Sequence, residues 1–204
     1  MVTWAASAMA VAATRIVVTA PASHLDQFRA ALAQVAADVA VIPGGEDRQS
    51  SVAAGVAHLV GSVPGSAPGS APAPEVIVVH DAARPFAPAA VLGRALEALD
   101  GGQDGQHWDG VIPVIPVVDT MVALHEGVAY LDRAALGAVQ TPQVFRAAAL
   151  SDAHARAARD GVSATDDGSL LVHYGYRVTT CEGSLEARKI TYPEDLDLSE
   201  RRLA

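Results

Sequence analysis

The sequence predicts a doubly wound α/β domain, with helices on both faces of a mostly parallel sheet. Three observations carry this. Short β-rich runs alternate with stretches of helical periodicity. One run, Val76-Ile77-Val78-Val79, is apolar throughout, as strands buried on both faces are. The chain has 204 residues, half of them hydrophobic, which suits one domain with a sizeable core. Strand and helix alternating at this spacing imply right-handed crossovers.

Taken in order, Ile16 to Thr19 reads as a strand. Leu25, Phe28, Leu32 and Val35 then recur at helical spacing. Val39 to Ile42 is the next strand, closed by Pro43, Gly44 and Gly45, and Val52, Val56 and Leu59 mark a second helix. The apolar strand 76–79, a helix over 88–99 and a strand over 111–117 follow. Residues 61–74, GSVPGSAPGSAPAP, are low-complexity, cannot bury apolar area to offset the entropy of ordering, and read as a flexible surface loop. Residues 117–133 suit two short strands turning near Glu126-Gly127. An isolated hairpin is marginal in water, so this arm is expected to pack on something, such as a second subunit. Thr191-Tyr192-Pro193-Glu194 has the spacing of a capping box opening a last helix.

Aromatics make up only 4% of the chain, so Ala, Val and Leu must do most of the packing. The formal net charge of −9 argues against broad nucleic-acid binding, which needs a basic surface, but leaves room for a local phosphate pocket. Cys181 is the single cysteine, so no intrachain disulfide forms and a reducing cytoplasm fits best. No window approaches the roughly 18 apolar residues of a membrane span.

Three groups of residues are placed to do chemistry. Gly44-Gly45-Glu46-Asp47-Arg48-Gln49-Ser50-Ser51 joins a strand to a helix. Glycines there let backbone approach a ligand, and a helix N-terminus favours anions. The plainer alternative is a turn capped by Ser or Asp. His80-Asp81-Ala82-Ala83-Arg84 leaves the end of the apolar strand, where open α/β sheets bind ligands. Asp81 suits a metal or hydroxyl and Arg84 a phosphate; the alternative is an internal ion pair that stiffens the loop. The third group is dispersed: Asp119, Thr120 and Arg133 in the arm, Thr141-Pro142-Gln143, Thr165-Asp166-Asp167 with Thr165 as helix cap, and Lys189. Each of these alone is more ordinary as a cap or a solvated charge. Metal-spaced His and Cys, a nucleophile elbow, a Walker loop and GxGxxG are all missing from the sequence.

Read together, GGEDRQSSVAAGV, VVHDAARPF, VIPVVDT, LDRAALGAVQTPQVFR, ATDDGSL and EGSLEARKITYPEDL resemble the 2-C-methyl-D-erythritol 4-phosphate cytidylyltransferases of non-mevalonate isoprenoid biosynthesis. The resemblance runs from Arg15 to the last helix. It implies a Rossmann-like sheet, a homodimer with exchanged arms, and CTP used with magnesium. By position, Gly45, Glu46, Arg48 and Ser51 would line the cytosine and ribose pocket, and Asp81, Ala82 and Arg84 would lie between nucleotide and substrate. Thr120 and Arg133 would reach the partner's substrate, and Thr141, Thr165 and Lys189 would complete the polyol-phosphate site. Arg133 and Lys189 would be the substrate-positioning pair, with Asp81 the candidate magnesium contact. Ribitol-phosphate and other polyol-phosphate cytidylyltransferases share many of these strings. A non-catalytic, nucleotide-binding dimer is the reading from another class.

Three departures from the pattern carry expectations. The family opens with a strand and a Gly-rich loop of the form AAGxGxR followed by PK, and neither string occurs here; Met1 to Ala13 resembles the helix that follows that loop. A truncated gene model is therefore expected, with part of the sheet bared and catalysis by the 204-residue form impaired. Val122 and Ala123 stand where the arm often has Lys and Arg, and Ala187 stands where the ending usually has Asn.

Overall fold

The computed structural model describes residues 1–61, 73–101, 105–124, 127–192 and 194–195. Most of the loop expected over 61–74, and Pro193 in the expected last capping box, lie outside them. The chain opens with helix α1 (Val2–Met9), then strand β1 (Arg15–Ala20), helix α2 (Leu25–Leu32) and strand β2 (Asp38–Pro43). Helix α3 (Arg48–Leu59), strand β3 (Val76–Val79), helix α4 (Ala89–Leu99) and strand β4 (Gly110–Pro116) follow. The arm contains β5 (Val122–Ala123) and β6 (Ala129–Tyr130). Beyond it come β7 (Gly137–Val139), β8 (Gln143–Arg146), helices α5 (Ala147–Asp160) and α6 (Asp167–His173), and β9 (Val178–Glu182).

Side-chain alternation along β3 builds the two faces. Ile77 and Val79 point into a core shared with Phe145, Leu150, Ala153, Leu170 and Leu171, on the side of α3, α5 and α6. Val76 and Val78 pack the other way, against Leu92, Ala95 and Leu99 of α4 and Met9 of α1. The expected α/β layering is therefore present, with one refinement. β8 runs antiparallel between β3 and β4, while β9 lies parallel to β4 on its far side. The cause is the connection: the chain returns from β4 through the arm, with no helical crossover to reset its direction.

The helix ends follow their local chemistry. Asp47 caps α3, accepting from the Ser50 N–H at 2.7 Å, while the Ser50 hydroxyl accepts from the Asp47 N–H at 3.1 Å. Asp166 does the same for α6 through Ser169. The cap is thus Asp166 and not Thr165, because the extended backbone that precedes the helix falls one residue later than the sequence suggested. α5 stops at Gly161, whose φ of 69° is the left-handed conformation that glycine takes without a Cβ clash.

β1 and β2 pair in parallel as a separate two-stranded unit, and β3 pairs only with β8 among the described residues. Between β1 and β3 runs a cleft of about 930 Å³. Ile16 to Thr19 line one wall and Val76 to Val79 the other, with Ala5, Ala6 and Met9 of α1 among the remaining lining residues. The arm forms as a hairpin, and it is strongly apolar on its surface: Val118, Leu124, Val128 and Tyr130 are each roughly two-thirds exposed or more.

Close packing at the β4–β8 crossing is testable. Phe145 is fully buried, and a Cβ on Gly110 would sit 2.6 Å from its ring. Phe145→Ala is expected to cost about 3–5 kcal/mol and Gly110→Ala about 1–3 kcal/mol in urea unfolding. A neutral Gly110→Ala would show the crossing to be loosely packed.

Candidate active site

The loop after β3 and the segment after β9 meet above the sheet. The Ile190 N–H donates to the Ala83 carbonyl at 2.8 Å, and this backbone bond holds Lys189 beside the 80–84 loop. The Lys189 Nζ then lies 3.3 Å from Asp81 Oδ2. Arg48, at the start of α3, approaches the other oxygen, with Nε 3.3 Å from Asp81 Oδ1. Arg84 Nε is 3.8 Å from Asp81 Oδ2. One carboxylate therefore faces three cations drawn from three parts of the chain.

The loop itself is tied down by hydrogen bonds to its side chains and backbone. The Asp81 N–H donates to Thr141 Oγ1 at 3.0 Å, Thr141 Oγ1 shares a 2.9 Å hydrogen bond with His80 Nδ1, and the His80 Nε2–H donates to the Arg84 carbonyl at 3.2 Å. Arg84 donates to the carbonyls of Ala187 and Val139, at 2.7 and 3.3 Å. The ion-pair alternative read from the sequence thus holds, since Arg84 braces two neighbouring segments and faces Asp81. Ala187 is fully buried and serves through its backbone oxygen, which accounts for a small residue there.

Two cavities open on this cluster. Arg48 and Asp81 line both. The cleft between β1 and β3 reaches Ser51, Asp81 and Ala82 at its upper end. The second cavity, of about 550 Å³, is lined by Arg84, Thr141, Thr165 and Lys189 among others. Gly45 and Glu46 lie exposed on the turn before α3 and outside both linings, with the Gly45 N–H donating to Ser51 Oγ at 3.0 Å. Thr120 and Arg133 are exposed in the arm, outside both cavities; the Arg133 Nη1 donates to the Val118 carbonyl at 2.6 Å.

Charge sets the protonation states. Burial pushes the Asp81 carboxyl up, but Lys189 and Arg48 outweigh it and hold it below the usual carboxylate range. Burial likewise opposes the charge on Arg48, and Asp167 and Asp81 outweigh it, so its pKa is raised. For Arg84 burial wins over Asp81 and lowers the pKa. His80 is pushed down by burial from 6.5 to about 4, so its ring is neutral at pH 7.

Beneath Arg48 lies Asp167, which the sequence offered only as an acid in the first turn of a helix, and behind it His154, which the sequence reading did not single out; both are buried. His154 carried a readable signal, since it sits one turn after Leu150 on the buried stripe of α5, where an imidazole needs a partner. Among the described residues no group of three or more His, Cys, Asp or Glu is arranged to hold a metal. Asp81, the candidate magnesium contact, has its two oxygens facing Arg48, Arg84 and Lys189.

Open α/β sheets bind ligands at the carboxyl ends of their strands, and the cations gathered there have the chemistry to meet a phosphate. The profile of the family described as IspD, 2-C-methyl-D-erythritol 4-phosphate cytidylyltransferase, matches residues 1–204, and the chain belongs to that family. The bifunctional enzyme IspD/IspF of Bradyrhizobium sp. (strain BTAi1) is 39% identical over 184 residues, covering 88% of this chain and 42% of that protein. The bifunctional IspD/IspF of Nitratidesulfovibrio vulgaris (strain DP4) is 44% identical over 158 residues, covering 76% of this chain and 36% of that one. The chain thus spans about two-fifths of the length of these curated relatives. The crystal structure of 2-C-methyl-D-erythritol 4-phosphate cytidylyltransferase from Thermus thermophilus superposes with a TM-score of 0.72 at 31% identity, covering 98% of this chain and 86% of that one. The 4-diphosphocytidyl-2C-methyl-D-erythritol synthase of Anaerococcus prevotii shares the fold, with a TM-score of 0.82 at 20% identity, covering 99% of this chain and 87% of that one.

The lowered His80 pKa predicts a pH dependence of stability. The unfolded chain takes up this proton near pH 6.5, whereas the folded one resists until about 4. The contribution is therefore whole above pH 6.5 and is lost as pH falls towards 4. Urea midpoints should decline across that window, and less steeply in His80→Asn. An equal decline in both proteins would remove His80 as the cause.

Proposed function

We propose that this chain carries out cytidylyl transfer from CTP to 2-C-methyl-D-erythritol 4-phosphate, releasing pyrophosphate in isoprenoid precursor biosynthesis. The observation that carries the reading is the convergence of Arg48, Arg84 and Lys189 on Asp81 where the two cavities meet. Family membership supplies the substrates.

In the reaction, a phosphate oxygen of the erythritol phosphate attacks the α-phosphorus of CTP. A new phosphorus–oxygen bond forms as the bond to the β-phosphate's bridging oxygen breaks, and pyrophosphate leaves with that electron pair. Negative charge grows on the transferred group, so fixed cations and positioning carry the catalysis. Lys189, half-exposed and tethered by Ile190, is placed to meet the substrate phosphate from the smaller cavity. Asp81 holds that ammonium in place before substrate arrives. Arg48 and Ser51 face the nucleotide side. Asp81 would be the residue to hold magnesium, and the ion would supply further positive charge there.

The exposed apolar arm favours a homodimer in which Thr120 and Arg133 serve the neighbouring copy's site. Burial pushes the thiol of Cys181 up, and a chain with this single cysteine and no intrachain disulfide suits a reducing cytoplasm.

Calorimetry should show CTP binding. With CTP and 2-C-methyl-D-erythritol 4-phosphate supplied, Lys189→Ala is expected to lower kcat/KM for pyrophosphate release by about 10²–10³-fold, as loss of a transition-state cation does. Unchanged kcat/KM in that variant, or faster turnover of ribitol phosphate, would overturn the assignment. Sedimentation of the protein at micromolar concentration tests the dimer, and Tyr130→Glu should shift it towards monomer.

A further inference from the structure

Beneath the ligand-facing cluster lies a second, buried layer. Asp167 is 1% exposed and His154 is 6% exposed. The His154 Nε2–H donates to Asp167 Oδ1 at 2.9 Å. Asp167 Oδ2 meets Arg48 Nη1 at 2.8 Å, as an ion pair and not an aligned hydrogen bond. Arg48 is thus gripped by two carboxylates from different elements: Asp167, at the first turn of α6, and Asp81, after β3.

This arrangement divides the charge of the site. If Arg48 were free to settle fully on Asp81, it would compete with Lys189 and Arg84 for the same carboxylate. Asp167 draws Nη1 away, so that only Nε addresses Asp81 Oδ1, and Oδ2 is left to Lys189 and the more distant Arg84. His154 in turn occupies the Asp167 oxygen that Arg48 does not use, which fixes the carboxylate's orientation. An isolated buried carboxylate would be costly, and the histidine and the α6 N-terminus make it tolerable.

We propose that Asp167 and His154 are positioning residues that act through Arg48, clamping its guanidinium for the nucleotide while leaving Asp81 Oδ2 to hold Lys189 at the smaller cavity. The proposal rests on the reading of Arg48 as a nucleotide contact, and deepens it.

Two measurements test it, the first without ligand. In the free protein, a clamped Arg48 gives a distinct, slowly exchanging Nε–H resonance in ¹⁵N NMR. Asp167→Asn should collapse it to the averaged position of solvent-exposed arginines. His154→Leu should broaden it, and His154→Gln, whose amide can still donate to Asp167, should restore it. If Asp167→Asn does not fold, the two His154 variants decide the matter, and an Arg48 signal unchanged in both overturns the proposal.

The second measurement is a double-mutant cycle on CTP affinity by calorimetry. Arg48→Ala and Asp167→Asn should each raise Kd about tenfold, and the double variant should be no weaker than Arg48→Ala alone. Fully additive losses would mean that Asp167 acts on the fold and not through Arg48, and would overturn the proposal. A wild-type protein that shows the clamped resonance but binds no CTP would sink the cytidylyltransferase reading while leaving the clamp intact.

Discussion

Asp81 is the point on which the upper face of this molecule is built. Its backbone N–H is fixed by Thr141, and its two oxygens collect an arginine from α3, an arginine from its own loop and a lysine from the segment beyond β9. Of these cations only Arg84 is near Asp81 in sequence. Three like charges gathered in one place repel, and without a shared counter-charge the segments carrying them would spread. The carboxylate thus does structural work in the resting protein, in the same place where chemistry needs its partners poised. The lowered pKa of Asp81 shows that the cations more than offset its desolvation.

The fold was legible to the extent that it is periodic. The apolar β3, the helical stripes of α2 to α4 and the arm hairpin all follow from residue spacing, which the physics of buried faces imposes. The antiparallel insertion of β8 was not legible, because strand direction is decided by the connection and not by the strand's own residues. The cap of α6 fell one residue from its expected place, since Thr165 and Asp166 are both good caps and only the backbone chooses between them.

The site was legible in its charged residues and illegible in its support. Asp81, Arg84, Thr141 and Lys189 stood out by motif and do converge. Gly45 and Glu46 also stood out, yet within one chain they line neither cavity. His154 was legible only as a histidine on the buried stripe of α5, a position that calls for a partner without saying which one. Its importance comes from Asp167, which reaches it from the N-terminus of another helix, and such contacts across elements cannot be read from spacing.

The cleft between β1 and β3 has a consequence for the continuity of the sheet. Each strand there presents a row of backbone amides and carbonyls that no neighbouring strand satisfies among the described residues, flanked by valine and isoleucine. Such a pair of edges is a mould for any extended, hydrophobic stretch of polypeptide, whichever molecule it comes from. An extended, apolar segment laid in that gap would pair with both edges at once and join the two parts of the sheet.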